Sequence, residues 1–581
     1  MKKFLGIFMT LGMCVLMACG SAEEDTMNSI GSDTACENTA SDNEPDIAPA
    51  NEPVELVVYS QLSGYRGEQK GWFAQVMMER FNVKFTIAYD TSEDFQDGVE
   101  KGYLGDIIVF GNTGECYEEA IKNGLLLDWE KNGLLAEHGA YILENMSKAL
   151  EHNRSLAPNE NKIYGLGHGV ATSNDNFEDV FLTWDIRWDL YKQLGYPAVN
   201  DLTDLTSVLK DMKELCPTDE QGNENYALSL WSDWDSNMVM YVKSMAGAYY
   251  GYDEFHLGLY DSDTGTFYDA LEENGPYLEM LKYFNILYRE GLLDPDSKTQ
   301  TYEDVCAKTQ NGGILFSIFN YAGSLSYNTE NHLVQNKYMA SLLPAEATPV
   351  TYGMSVYGGN RVWTIGANSE HKELCMEIIN WLCTPEGMLT FVYGPKGVIW
   401  DYDAEGNTYF TELGKNCYED RTTILPDEYG GGYYNDGCPQ INNLTWNLNA
   451  ENPDSNRETY NAINWKSNVP AASCETEQDW RDYTGTLTSL EYMKTKECVV
   501  VPATTYEAPE KSVGLQKAWE QVANCIVSES WNAIYAESDE EFEQVVSKMI
   551  AGAKACGYDR CAEWCEQEAT RRFALEEAVR E

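Results

Sequence analysis

Trp231-Ser232-Asp233-Trp234-Asp235 places two indoles and two carboxylates within five residues, directly after the β-like run 226–231. Flat apolar rings stack on the C–H faces of sugars, and paired acceptors take hydroxyl hydrogen bonds, so this stretch has the chemistry of a glycan contact. The bland alternative is a pair of core tryptophans with aspartates that cap the next helix. Shorter groups offer the same chemistry. Asn360, Arg361 and Trp363 open a second β-like run, and Tyr65, Arg66 and Glu68 lie in a glycine-bearing loop. Asn112, Thr113 and Glu115 follow an apolar strand and open a helix, and Asn320 and Tyr321 end another strand. Tyr429, Tyr433, Tyr434 and Trp446 could wall one end of a long cleft or simply pack a surface.

Patterns for catalysis are scarce. His138, His152, His168, His256, His332 and His371 form no HExxH and no metal-spaced cluster, and no GxSxG occurs. Asp401-Tyr402-Asp403-Ala404-Glu405-Gly406 with Glu412 approaches a calcium loop, but its flanks alternate like hairpin strands where a calcium loop has helices. Neither a metal nor a cofactor is expected. The 94 acidic residues leave one rival open, a tethered glycan-degrading enzyme with two carboxyl groups ~5–10 Å apart across a cleft. An adhesion module would show repeats or an all-β body, and the chain shows neither.

The elements that must position these residues begin with a β-α-β-α-β series. A strand at 56–59 precedes a helix at 72–81, a strand at 83–89, a helix around Phe95 and Val99, and a buried strand at 106–110. Short connections of this kind give a doubly wound parallel sheet, with ligands beyond the carboxyl ends of its strands, here 60–68 and 111–115. Helices at 116–127 and 134–150 and a strand at 162–166 follow. A second set comprises strands at 181–184, 226–231 and 313–318 and helices at 185–194, 202–215, 238–248 and 275–290. Then come a strand at 361–365, helices at 372–382 and 385–391, a hairpin near Trp400, an irregular aromatic-rich stretch at 415–480, and C-terminal helices.

At 581 residues the chain should form more than one lobe. Its 40 basic and 94 acidic residues repel nucleic acid and anionic lipid, so no nucleic-acid partner is expected and neutral ligands are favoured. Sixteen cysteines with no CxxC pair and no repeating interval predict mostly free, partly buried thiols. Lys2 and Lys3 precede an apolar run of ~15 residues, too short to span a bilayer and fit for a signal-peptide core. Leu16-Met17-Ala18-Cys19 resembles the bacterial lipobox. That resemblance implies export, cleavage after Ala18, and lipidation of Cys19 with a diacylglycerol thioether and an N-acyl chain. The protein would then be anchored at the outer face of the cell membrane and work without ATP. Residues 20–53 have almost no large apolar groups and read as a disordered tether.

Several segments, in order, resemble the extracellular solute-binding lipoproteins of carbohydrate ABC importers (family-1 type). Lys162-Ile163-Tyr164-Gly165-Leu166 is similar to that family's crossing strand, although Gly167 stands where the family has proline. Leu287-Tyr288-Arg289-Glu290-Gly291-Leu292-Leu293-Asp294-Pro295, Thr384-Pro385-Glu386-Gly387 with Tyr393-Gly394, and Gly557-Tyr558 match further family segments. The resemblance implies an α/β, type II periplasmic-binding-protein-like fold, two lobes joined by a hinge with a ligand cleft between them. It also implies a monomer that passes a sugar to a membrane permease. The expected layout is lobe 1 at 54–165, lobe 2 at 166–350, a return to lobe 1 at 351–415, an insertion at 416–500 near the cleft, and helices at 501–581. Some relatives carry a calcium loop. The matching stretch, Thr218-Asp219-Glu220-Gln221-Gly222-Asn223-Glu224-Asn225, has too few regularly spaced carboxylates for the metal to be carried over.

Overall fold

The computed structural model describes residues 52–580 apart from 90–91, 158–159, 175 and 178–179. The lipobox at Cys19 and the tether lie outside the described residues. Among those described, no helix is long and apolar enough to cross a membrane.

The chain opens with β1 (Val54–Ser60), β2 (Gly67–Glu68), β3 (Val83–Tyr89), β4 (Ile107–Phe110) and β5 (Gly165–Gly167). It continues through β6 (Leu182–Arg187), the small antiparallel sheet β7 (Asp253–Phe255), β8 (Gly258–Asp261) and β9 (Thr266–Asp269), then β10 (Phe316–Phe319) and β11 (Met339–Ser341). It returns through β12 (Val350–Tyr352) and β13 (Val362–Ile365). β1, β3, β4, β5 and β13 form one sheet with β2, in the order β2-β3-β1-β4-β13-β5. β1 pairs in parallel with both β3 and β4, whereas β13 runs antiparallel between β4 and β5. The expected parallel sheet is therefore mixed, closed by a strand from more than 250 positions later. A second sheet has the order β10-β6-β11, and the run 226–231 lies beside β10, with a parallel bridge at Tyr226–Ile314 and Phe316 N donating to Ala227 O at 2.9 Å.

Alternation along β1 and β4 puts a different layer on each face of the first sheet, as a sheet covered on both sides requires. Leu56 and Val58 pack with Trp72, Phe73 and Met77 of the helix Gly71–Phe81. Tyr59, Ile108 and Phe110 pack with Phe95 and Tyr117 on the other face. That first helix shows Trp72, Phe73, Val76 and Met77 on one side and stops at Asn82, which takes the left-handed conformation at φ +52°.

The buried side chains form two large cores. One joins the first sheet to residues 374–465, and the other joins the second sheet to residues 480–565. The chain passes between them at 168–181, at 342–361 and at 466–479, and the C-terminal helix reaches from the second core back to the first, so the body has two lobes. Because β4 and β5 run one way and β13 the other, the chain leaves the first sheet at Gly167 and re-enters at Val362 on the same edge, beside the ends of β1 and β4. The second sheet is likewise entered at Leu182 and left at Ser341 on one edge, beside the end of β10. These two edges share the crossing segments.

Several local readings need correction. The helix expected at 134–150 is three short ones, Leu134–His138, Ala140–Asn145 and Ser147–Ser155, broken at Gly139 and Met146. The helix expected at 185–194 starts only at Trp188, because Asp185, Ile186 and Arg187 pair with β10 and β11. The thirteen cysteines among the described residues are free, and Cys375, Cys383, Cys417, Cys561 and Cys565 are buried, matching the expectation of mostly unpaired thiols.

Candidate ligand-binding site

The second sheet's shared edge is paved with aromatic rings. Tyr352, on the returning strand β12, lies nearly parallel to Phe181 at 6.4 Å and 8°. Phe181 lies at 6.4 Å and 13° from Phe319, which stacks on Tyr321 at 5.0 Å and 19°. Tyr321 meets Trp234 at 5.8 Å, and Trp234 meets Tyr302 at 4.9 Å. The row has a buried middle and open ends. Phe319 is 2% exposed, whereas Tyr352, Phe181 and Trp234 are 43%, 40% and 45% exposed. Solvated indole and phenyl faces of that size are the surface a sugar ring stacks on.

Trp231 departs from its expected role. It is fully buried, with Trp234, Tyr241, Tyr302, Phe319 and Tyr321 around it at 5.3–6.3 Å. It supports the row and offers no face of its own. Asp235 is committed to the fold as well. One carboxylate oxygen accepts from Met240 N at 2.7 Å, where the next helix begins, and the other accepts from Trp531 Nε1 at 2.7 Å. Burial raises its pKa above the ordinary aspartate value, against the lowering effect of those two N–H groups. Asp233 is exposed beside Trp234 and accepts from Tyr302 N at 3.3 Å. Asn320 Nδ2 donates to Val180 O at 3.1 Å, which ties the end of β10 to the segment that enters β6. Burial raises the pKa of the Tyr321 phenol, so it stays protonated.

The first sheet's shared edge is polar. Asn112 Oδ1 accepts from Gly114 N at 2.8 Å, and Glu115 stands exposed in the first turn of the following helix. Tyr65 donates its hydroxyl to Glu68 O at 2.9 Å, Arg66 pairs with Asp94 at 2.6 Å, and the Glu68 side chain is exposed. Asn360 and Arg361 are exposed at the crossing, where Arg361 N donates to His168 Nδ1 at 3.3 Å. Burial, and next the nearby Arg361 charge, lower the pKa of His168. Trp363 is buried in the core, with Nε1 donating to Leu444 O at 3.3 Å, and so is removed from the contact set.

The irregular stretch braces this edge. Ser60 Oγ donates to Ile441 O at 2.8 Å, Asn442 Nδ2 to Leu62 O at 3.1 Å, and Gln440 N to Gln69 Oε1 at 2.9 Å. Tyr434 stacks on Trp72 and is buried, as is Trp446, while Tyr433 is exposed and Tyr429 half-buried. The hairpin at 400–410 turns on Asp403, whose oxygens accept from Glu405 N, Asn407 N and Asn407 Nδ2. Among the described residues, no group of three or more His, Cys, Asp or Glu is placed to hold a metal ion. A groove of about 450 Å³ beside Asp296, Gln300, Asp304 and Lys308 has no aromatic lining.

Tyr302, Phe181, Phe319 and Tyr352 are the members that sequence reasoning missed. They come from four separate segments, and no local pattern links them.

No protein-family model and no curated protein matches the chain. Among solved structures, it is similar to the N-glycan transport solute-binding protein NgtS from Streptococcus pneumoniae, with 15% identity, 90% of this chain and 99% of that chain covered, and a TM-score of 0.40. A solute-binding protein from Bifidobacterium longum infantis, associated with an ABC transporter and binding HMO, matches with 13% identity, the same coverages and a TM-score of 0.40. The ABC-transporter substrate-binding protein FusA of S. pneumoniae, in complex with kestose, matches with 12% identity, the same coverages and a TM-score of 0.40. At such scores the likenesses stand as observations only.

Proposed function

We propose that this chain is a lipid-anchored, non-enzymatic binding protein that captures a neutral oligosaccharide between its two lobes and delivers it to an ABC-transporter permease. The observation that carries the reading is the ring row Tyr352–Phe181–Phe319–Tyr321–Trp234, open at both ends on the edge where the chain crosses between lobes. Two separated solvated faces suit a ligand of several sugar rings better than a single ring. Exposed amide, carboxylate and guanidinium groups on the facing edge suit its hydroxyls. Hinge closure over the ligand follows from the shared crossing segments.

A thermal-shift screen of residues 54–581 against malto-, cello-, xylo- and manno-oligosaccharides of two to six units tests the proposal. A ligand at a hundred times its dissociation constant adds ~2.7 kcal/mol of stability. A shift with the sugar recovered intact supports it. A shift with the sugar cleaved moves the reading to the glycan-degrading enzyme, and no shift with any sugar removes the carbohydrate cargo. The anchor is tested separately, by incorporation of an alkynyl fatty acid that Cys19→Ala should abolish.

A further inference from the structure

Tyr352 ends the ring row, and its hydroxyl points into a buried ionic network. It donates to Asp253 Oδ1 at 2.6 Å, and the other oxygen of buried Asp253 accepts from Arg572 Nη2 at 2.7 Å. Arg572 belongs to the C-terminal helix Tyr558–Arg580. Its guanidinium lies over Tyr260 at 4.6 Å and over Phe255 at 5.3 Å, and its Nε donates to Glu576 Oε1 at 2.7 Å. Glu576 is fully buried, and its second oxygen accepts from Tyr260 Oη at 2.9 Å and Ser262 Oγ at 2.8 Å. Arg580, one turn on, donates to Ser262 O and Oγ, both at 2.8 Å. Each buried charge thus has its counter-charge and its hydrogen bonds, and removing one member would strand another.

The same helix reaches the other lobe. Tyr558, Cys561 and Cys565 lie in the second lobe's core, yet Val579 lies in the first lobe's core. Val579 O accepts from Lys148 Nζ at 2.6 Å and from Asn174 Nδ2 at 2.7 Å. Lys148 lies in the first turn of the helix Ser147–Ser155, which packs against β5, and Asn174 is on the first crossing segment. A continuous helix moves as a rod, so its two attachments cannot shift independently.

We propose that Asp253 and Arg572 are positioning residues for Tyr352, and that the C-terminal helix ties the Tyr352 end of the ring row to the first lobe. The link to a bound ligand rests on the proposed function, whereas the tie itself is measurable in the ligand-free protein. Hydrogen exchange followed by mass spectrometry on the body, residues 54–581, tests it. Tyr352→Phe keeps the ring and removes only the hydroxyl. It should speed exchange about fivefold or more in 573–580 and in 146–152, with 372–393 unchanged. Lys148→Met, made in the first lobe, should speed exchange in 573–580 and in 350–355. Changes confined to the neighbourhood of each substitution would overturn the tie. Circular dichroism confirms that both variants are folded, and these outcomes do not depend on whether any sugar binds.

Discussion

One shared edge of this protein presents ring faces, and the other presents amides, carboxylates and a guanidinium. The difference follows from how each edge is built. On the second lobe, Trp234, Tyr302 and Tyr321 rest on Trp231, so the exposed rings are held by a buried one and need few hydrogen bonds. On the first lobe, backbone carbonyls at Leu62, Ile441 and Leu444 are tied by Asn442, Ser60 and Trp363, and the side chains left over are polar. Stacking supplies contact area at low entropic cost, and hydrogen bonds supply selection among hydroxyls. Under the proposed function, the ring edge would serve affinity and the polar edge specificity.

Substitutions can break this contrast. Trp231→Ala should have the largest effect, costing ~3–5 kcal/mol of stability by removing a fully buried indole from among five rings. Urea denaturation measures this, and a cost under ~1 kcal/mol would mean that the row needs no buried support. Trp234→Ala should leave the urea midpoint nearly unchanged but weaken oligosaccharide binding about tenfold, or ~1.4 kcal/mol, by calorimetry. Unchanged affinity would take that ring out of the site. Arg361→Ala and Asn112→Ala should each cost only about threefold in affinity, with larger changes in ranking between sugars that differ at one hydroxyl. Equal losses for all sugars would make the polar edge a second source of affinity.

The smallest expected effect concerns pH. Burial holds the Asp235 pKa above the ordinary aspartate value, so the native state keeps this proton to higher pH than the unfolded chain. The contribution to stability is full below the unfolded value and declines as pH rises through the native one. Asp235→Asn should flatten that decline in urea midpoints measured upward from pH ~4, and an unchanged slope would assign the titration to another group.

Local signals carried much of the fold. The β-α-β-α-β opening could be read from alternation in 83–89 and from the spacing of Trp72, Phe73, Val76 and Met77. The stop at Gly557 and the Ser538 cap, which accepts from Glu541 N, could be read from turn and capping chemistry. Long-range pairing could not. A strand at 361–365 and a return to the first lobe are expected, but nothing near Val362 says which strands it pairs with, or that Asp185 belongs to a strand. Trp231 and Trp234 look alike in sequence, yet one is core and the other surface. Three-dimensional packing alone separates the buried indole from the exposed one.

The strand β13 also bears on the order in which the protein can be made. The first lobe begins at Val54 but is completed by Val362–Ile365, by Ile441 and Trp446, and by Val579 of the C-terminal helix. The second lobe waits for the helices after residue 512. Neither core can be complete on a nascent chain until those C-terminal helices have been made. Both lobes would therefore set together, once the helix Tyr558–Arg580 has been made.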